Sequence, residues 1–494
     1  MYLKKIGAKI LAKKVYKSIQ KWASNPIETQ EKVFQSLIAE AKNTSFGKDH
    51  QFHQITNHED FVKQVPARDY EALKSYFERT ASGEENVLWK GKPTYIAKTS
   101  GTTSGAKYIP ITKESMPFHI EGAKNALFCY IHETKNADFV NGKMIFLQGS
   151  PVLEIKNGIN IGRLSGIVAH FVPKYLQKNR LPSLETNCID DWETKVDAIV
   201  EETKNENMTL ISGIPSWVQM YFERLRTASN KSVGDLFPNF NLFVYGGVNY
   251  EPYRAKFEEM IGRRVDSIEL YPASEGFFAF QDTQTEKGML LLLNAGIFYE
   301  FIEASKFYDE NPKRLTIGEV EIDVNYVMII STNAGLWAYN IGDTVMFTST
   351  KPYRVIVSGR IKHFISAFGE HVIGKEVEQA IKEAMQEFNF SISEFTAAPQ
   401  TNPPEGELPY HEWLIEFEET PNNLPEIATF LDKSMQEQNS YYFDLIEGSV
   451  LQPLKITPIS SGSFNSYMKS QGKLGGQNKV PRLSDNRKIA DQLL

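Results

Sequence analysis

Residues 98–110 read KTSGTTSGAKYIP. Five hydroxyls, from Thr99, Ser100, Thr102, Thr103 and Ser104, surround Gly101 and Gly105, and Lys107 follows two residues later. Glycines let backbone N–H groups approach an anion, hydroxyls donate further hydrogen bonds, and a lysine supplies a point charge. Those are the requirements of a triphosphate. The spacing does not fit a P-loop kinase or GTPase, because three residues rather than four separate the glycines and Ala106 intervenes before Lys107. By composition alone such a cluster reads as a flexible loop, so its meaning depends on what else the chain carries.

Three further stretches supply what a nucleoside triphosphate needs. Residues 271–276 read YPASEG and follow the strand-like run Ser267 to Leu270, which puts Glu275 at a strand end where a carboxylate can hold Mg²⁺ against phosphate oxygens. Tyr271 is suited to stack on a purine. Residues 339–343 read YNIGD, where Asp343 beside Gly342 can accept both hydroxyls of a ribose, although Gly-Asp is also a common turn. Residues 358–372 read SGRIKHFISAFGEHV, and from here Arg360 and Lys362 can reach a phosphate from a hinge or serve as an exposed basic connector.

Around these stretches the 494-residue chain changes character. Residues 1 to 90 read as helical, with Val33, Leu37, Ile38 and Ala41 spaced for one buried face. From about 143 to 358, short apolar runs such as Met144 to Leu147, Leu242 to Tyr245, Ile268 to Tyr271 and Phe298 to Ile302 alternate with helical stretches, as in Trp217 to Leu225. This is an α/β pattern of mixed sheets with flanking helices, and the runs at Glu319 to Ile330 and Leu336 to Phe347 predict a smaller, barrel-like sheet. After Gly359 and Arg360 a small α+β unit begins, with a helix through Val377 and Ile381 and a strand through Trp413, Ile415 and Phe417. We expect an N-terminal domain over 1–358, which binds nucleotide and acid, and a C-terminal lid over 359–494, joined by a hinge near 359–362.

Composition excludes several function classes. A net charge of −7 does not support broad nucleic-acid binding. Cys129 and Cys188 have neither metal-ligand nor redox spacing, and no apolar run reaches the length needed to span a bilayer; a cytoplasmic location is the expectation. The first 22 residues carry Lys4, Lys5, Lys9, Lys13, Lys14, Lys17 and Lys21 with no acid. Such a helix suits an anionic membrane or a targeting role, but the plainer expectation is that its apolar side packs on the domain. A hydrolase is disfavoured, since no G-x-S-x-G elbow, H-E-x-x-H pair or cysteine nucleophile setting is present.

The order and spacing of TSGTTSGAK, YPASEG and YNIGD resemble the auxin-responsive-promoter family of acyl acid amido synthetases, part of the adenylate-forming superfamily that includes acyl-CoA synthetases and luciferases. FGKDHQF at 46–52, PARDYEALKSY at 66–76, SGIPSW at 212–217, and GSFNSYMKSQG with NKVPR near the end extend the likeness over nearly the whole chain. The resemblance implies ATP and Mg²⁺ as cofactors, with Glu275 as metal ligand. It implies nucleotide contacts from Thr99, Ser100, Gly101, Thr102, Thr103, Lys107, Tyr271, Ser274, Glu275, Asp343, Arg360 and Lys362. It also places the backbone of Gly246, Gly247 and Val248 beside the adenine and makes Lys479 a catalytic lysine of the lid. Asn340 stands where the family often has arginine, and His371 where the hinge often has lysine.

A carboxylate is a poor acylating agent. Its attack on the α-phosphorus of ATP, with loss of pyrophosphate, installs AMP as a good leaving group, which an amine or thiol then displaces. Such catalysis is alignment and charge compensation, with no side-chain nucleophile. In the family reading the acceptor is an amino acid and the product an amide; the acid is held near the helix Met116 to Tyr130. An acyl-CoA or carrier thioester-forming ligase is the nearest alternative, favoured by GEHV in the hinge, and a non-catalytic nucleotide-binding regulator is a second, favoured by Asn340 and His371. The expected partners are small molecules, with neither nucleic acid nor an integral membrane segment; the sequence leaves the oligomeric state open, and a monomer is compatible with it.

Overall fold

A computed structural model describes residues 2–494 apart from 103–104, 172–176, 190–191, 248–249, 308, 361–363, 366, 371, 405 and 472–479. The N-terminal region is helical as expected, with α1 (Tyr2–Ala23), α2 (Pro26–Ala41) and α3 (Tyr70–Ala81) as its longer helices. Pro26 occupies the first turn of α2, where its missing N–H costs nothing. Asp69 caps α3 by accepting a hydrogen bond from the Ala72 N–H. The spacing of Phe34, Leu37, Ile38 and Ala41 turns one side of α2 into the core, where Phe34 packs on Phe298 with ring centroids 4.8 Å apart. Burying one such phenylalanine contributes about 1.5–3 kcal/mol.

A four-stranded sheet holds β1 (Tyr95–Thr102), β2 (Gly105–Ile111), β4 (Glu154–Lys156) and β5 (Ile159–Gly162) in the order β2-β1-β5-β4. Among the described residues the main sheet has 11 strands. Its parallel block joins β6 (Arg180–Leu181), β3 (Lys143–Phe146), β7 (Met208–Ser212), β8 (Leu242–Gly246) and β9 (Asp266–Ala273). Leu210 and Ile211 on β7 and Leu242, Phe243 and Val244 on β8 are all buried, the near-continuous apolar run of a parallel strand covered on both faces. The covering helices include α4 (Met116–Thr134), α5 (Trp192–Thr203), α6 (Pro215–Ser229) and α7 (Glu251–Ile261).

At β9 the sheet turns antiparallel and continues through β10 (Gly276–Phe280), β11 (Met289–Leu291), β15 (Tyr353–Arg360), β14 (Tyr339–Thr350), β13 (Asn325–Thr332) and β12 (Ile297–Glu303). Four strand steps separate β9 from β14, which would hold them about 19 Å apart in a flat sheet. Yet the Tyr271 hydroxyl on β9 lies 2.5 Å from the Asp343 carboxylate on β14. The antiparallel part therefore curls back on itself; β13 and β14, the runs expected to form a smaller, barrel-like sheet of their own, are instead continuous with the main sheet, because β11 pairs with β15 and joins the two blocks.

The C-terminal unit contains β16 (Phe364–Ile365), β17 (Val372–Ile373), α8 (Gly374–Phe388), the sheet β18-β19-β20 (Ile392–Gln400, Tyr410–Phe417, Lys455–Pro458), α9 (Leu424–Gln438), α10 (Ser440–Glu447) and α11 (Ser463–Ser470). Trp413, Ile415, Val377, Ile381 and Leu431 form its core, which extends to Val196 on α5 and Met220 on α6. The Tyr253 hydroxyl on α7 donates to the Ala367 carbonyl at 2.9 Å, and Arg163 pairs with Asp444 while its guanidinium lies 4.9 Å from the Tyr441 ring centroid. No helix among the described residues is long and apolar enough to cross a membrane.

Candidate active site

β8 ends in Gly246, which lies opposite Leu270 in the parallel ladder with β9. A Cβ at position 246 would stand 2.5 Å from the Leu270 carbonyl oxygen and 3.3 Å from Pro272 Cδ, so only glycine lets the two strands run this close. Gly247 follows at φ +85°, and among the described residues no heavy atom lies within 4 Å of where its Cβ would be. Val248 lies outside the described residues.

β9 passes into β10 through the two-residue turn Ser274 and Glu275, with Ala273 opposite Gly276. Both turn side chains are half-buried, and Glu275 stands at the strand end as the sequence implied. Tyr271 is buried, with its ring edge-on to Phe278 at 5.0 Å, and it donates its hydroxyl to Asp343. Its ring is thus part of the wall, and its polar end is committed to the carboxylate.

Asp343 owes its position to a bulge. Val327 pairs with Thr344 and Ile329 with Asn340, so three residues of β14 face one of β13. Gly342 takes φ +89° in the bulge, and its N–H donates to the Asn340 side-chain oxygen at 2.8 Å. A bulge re-aims a side chain, here directing Asp343 to Tyr271. Across the next ladder Asp343 faces Arg360 and Thr344 faces Gly359, so the expected ribose acceptor and the expected hinge are neighbours. Lys362, His371 and Lys479 lie outside the described residues.

The KTSGTTSGAK stretch is a hairpin, not the strand-to-helix loop of a P-loop protein. Thr99 faces Lys107 and Thr102 faces Gly105; Ser100 and Gly101 lie in β1 between them, and Thr103 lies outside the described residues. Two residues that the sequence reading did not single out tie the hairpin to the rest. Tyr70, at the start of α3, accepts from the Tyr108 N–H at 3.0 Å, and Lys107 Nζ lies 5.9 Å from the Tyr70 ring centroid. Arg68 donates its N–H to the Ala338 carbonyl, and its own carbonyl accepts from the Asn340 N–H at 2.8 Å. The segment PARDY thus bridges the hairpin to the strand carrying Asp343; the only advance signal was that the family-like stretch at 66–76 contains it.

Gly246, Gly247, Tyr271, Ser274, Glu275, Asp343 and the backbone of Arg360 therefore gather where the parallel block meets the curled antiparallel strands, at the carboxyl ends of β8 and β9. Ligands of open α/β sheets bind at such switch points.

Family models for the GH3 family N-terminal domain, central domain and C-terminal domain match residues 15–186, 290–360 and 375–488 respectively. The chain belongs to the GH3 family. Among curated GH3-type relatives, a jasmonoyl--L-amino acid synthetase, JAR4, of Nicotiana attenuata is 22% identical over 92% of this chain and 90% of its own length. The indole-3-acetic acid-amido synthetase GH3.4 of Arabidopsis thaliana is 21% identical over 95% of this chain and 91% of its own. The solved structure of the AtGH3.15 acyl acid amido synthetase in complex with 2,4-DB superimposes with a TM-score of 0.63 at 16% identity, covering 98% of this chain and 95% of that one. A 2-hydroxyisobutyryl-CoA ligase in complex with 2-HIB-AMP and CoA shares the fold at a TM-score of 0.59 and 13% identity, over 95% of this chain and 92% of that one. The family resemblance read from the motifs is thereby borne out, and the fold is that of the GH3 and acyl-CoA ligase group.

Proposed function

We propose that this GH3 chain adenylates a carboxylic acid with ATP and transfers the acyl group to an amine, in the family reading an amino acid, to form an amide. The observation that carries the reading is the convergence of the Gly246–Gly247 strand end, the Ser274–Glu275 turn and the Tyr271–Asp343 pair in one place, in a chain whose relatives include proteins named amido synthetases.

The residues present fit the nucleotide. The space beside Gly247 suits an adenine, a carboxylate oriented by Tyr271 suits two ribose hydroxyls, and the hairpin from Thr99 to Lys107 suits phosphates. They also fit Mg²⁺ in the form it usually takes beside a triphosphate. No cluster of three or more His, Cys, Asp or Glu that could cage a metal occurs among the described residues, and the single carboxylate of Glu275 suffices when phosphates and water supply the remaining ligands. When bound, the ion offsets phosphate charge. The chain's own part is to hold the ribose at Asp343, orient the phosphates along β1 and β2, and bring the acid within reach of the α-phosphorus from the side of α4. Thr103, Val248, Lys362 and Lys479 complete the proposed contacts by resemblance.

The second half-reaction needs the lid in a different orientation. We place the domain boundary and hinge at 359–362, one ladder away from Asp343. A cytoplasmic location is part of the same reading.

A thioester ligase remains the rival because the stretch after the hinge reads GEHV at 369–372. However, Glu370 is fully buried, accepts from the Phe368 N–H at 2.8 Å and pairs with His411 at 2.8 Å inside the lid core. A residue with that structural task does not specify the acceptor. Likewise Asn340, the departure that favoured a non-catalytic regulator, shapes the bulge that presents Asp343. The deciding experiment is carboxylate-dependent exchange of labelled pyrophosphate into ATP over a panel of acids, followed by mass analysis of products formed with amino acids or coenzyme A. Exchange with an amide product is the expected result. A thioester product would transfer the reading to the rival, and absence of exchange with every acid would remove it.

A further inference from the structure

α1 packs against α4 through one side only. Ala12, Ile19 and Ala23 are buried, Tyr16 stacks on His132 with centroids 4.1 Å apart, and Lys5 pairs with Asp138 at 2.6 Å. At 100° per residue, Ile6, Ile10, Lys13, Lys14, Lys17 and Lys21 fall within an arc of about 100° on the opposite side. Ile6 is 38% and Ile10 67% exposed, and Leu11 at the flank is 42% exposed. Lys9, Lys13, Lys14, Lys17 and Lys21 are exposed and make no ion pair among the described residues, and α1 contains no acidic residue. The face extends about 22 Å from Ile6 to Lys21, on a protein whose net charge is −7.

We propose that this outward face of α1 docks the enzyme on an anionic lipid surface, with the lysines at the phosphate level and Ile6 and Ile10 in the acyl boundary. Exposed apolar residues such as Ile155 and Leu184 occur elsewhere on the surface, but on α1 Ile6 and Ile10 share one face with four lysines unpaired among the described residues. An interfacial helix needs both features, since buried apolar area and electrostatic attraction to anionic lipids together set its binding. Nucleic acid would satisfy the lysines but leave Ile10 without a partner, and a second copy of the chain would bring two cationic faces together. The side of α1 that holds it to α4 stays in place, so docking requires no unfolding.

The test is co-sedimentation of the full chain with vesicles of phosphatidylcholine alone and of phosphatidylcholine with about one third phosphatidylglycerol. Binding to the second and not the first is expected. The combined Lys13→Gln, Lys14→Gln and Lys17→Gln variant should lower binding at least about tenfold, and Ile10→Ser should also lower it, while all retain the thermal midpoint of the unaltered protein. Amine labelling of the unaltered protein, read by mass spectrometry, should show Lys13, Lys14 and Lys17 protected by anionic vesicles. Absence of binding, equal binding to both vesicles, Ile10→Ser binding as well as the unaltered chain, or displacement from vesicles by DNA would each overturn the proposal.

Discussion

The Tyr271 hydroxyl donates a 2.5 Å hydrogen bond to Asp343, although four strand steps separate their strands in the sheet. The bond spans the curl of the sheet and orients the carboxylate proposed to hold the ribose. Tyr271→Phe keeps the ring and its packing on Phe278 while removing the donor. A hydrogen bond to a charged group contributes about 1.5–3 kcal/mol, so the KM for ATP in the exchange assay should rise about tenfold or more, with the fold retained. Asp343→Ala should nearly abolish exchange, and normal exchange in that variant would remove Asp343 from the site.

Glu275 sits in a half-buried turn at the end of β9. Glu275→Gln preserves the shape but removes the charge assigned to Mg²⁺. Exchange should fall at least about a hundredfold and recover in part at high Mg²⁺. An unchanged Mg²⁺ dependence would show that the ion is held elsewhere.

Gly246 tests the backbone geometry. An alanine there puts a methyl 2.5 Å from the Leu270 carbonyl oxygen, a contact that backbone atoms cannot relieve without moving β8 or β9. Gly246→Ala should cost about 1–3 kcal/mol of stability, visible as a lowered thermal midpoint, and should weaken nucleotide binding as well. Gly247→Ala meets no neighbour among the described residues and is strained by its positive φ, so its stability loss should be the smaller of the two.

How much of this was legible in the sequence follows the reach of each signal. The local motifs carry their own chemistry and short-range pattern, so the strand end at Glu275, the helices of the first 90 residues and the α+β unit after Gly359 were readable. The bulge at Gly342 was not, because it depends on how β14 meets β13, and Asn340 read as a departure until its side chain was seen to hold the Gly342 N–H. Tyr271 was expected as a stacking ring; its hydrogen bond to Asp343 depends on the curl of the sheet, which no local pattern encodes. The bridging by Arg68 reaches a strand hundreds of residues away and that by Tyr70 reaches one 38 residues away, so both were invisible for the same reason.

The last prediction concerns acid stability. Glu300 is fully buried, receives a bidentate contact from Arg314 and meets His58 Nε2 at 2.7 Å. Burial pushes its carboxyl upward, but the Arg314 charge and the hydrogen bonds from His58 and Arg314 outweigh that and hold it below the usual value. A carboxyl with a lowered folded-state pKa contributes stability that is present above its unfolded pKa of about 4.3. That stability is lost as pH falls through the lower folded value, because the unfolded chain then binds more protons than the native one. The unaltered protein should therefore lose thermal stability steeply below about pH 4. Glu300→Gln removes this group's share of the pH dependence and leaves Arg314 buried beside a neutral amide, which should cost about 3–5 kcal/mol at neutral pH. The gap between variant and unaltered protein should narrow on acidification. A gap that stays constant from pH 7 to the acid limb would show that Glu300 binds its proton equally well folded and unfolded, and that another carboxylate governs the acid transition.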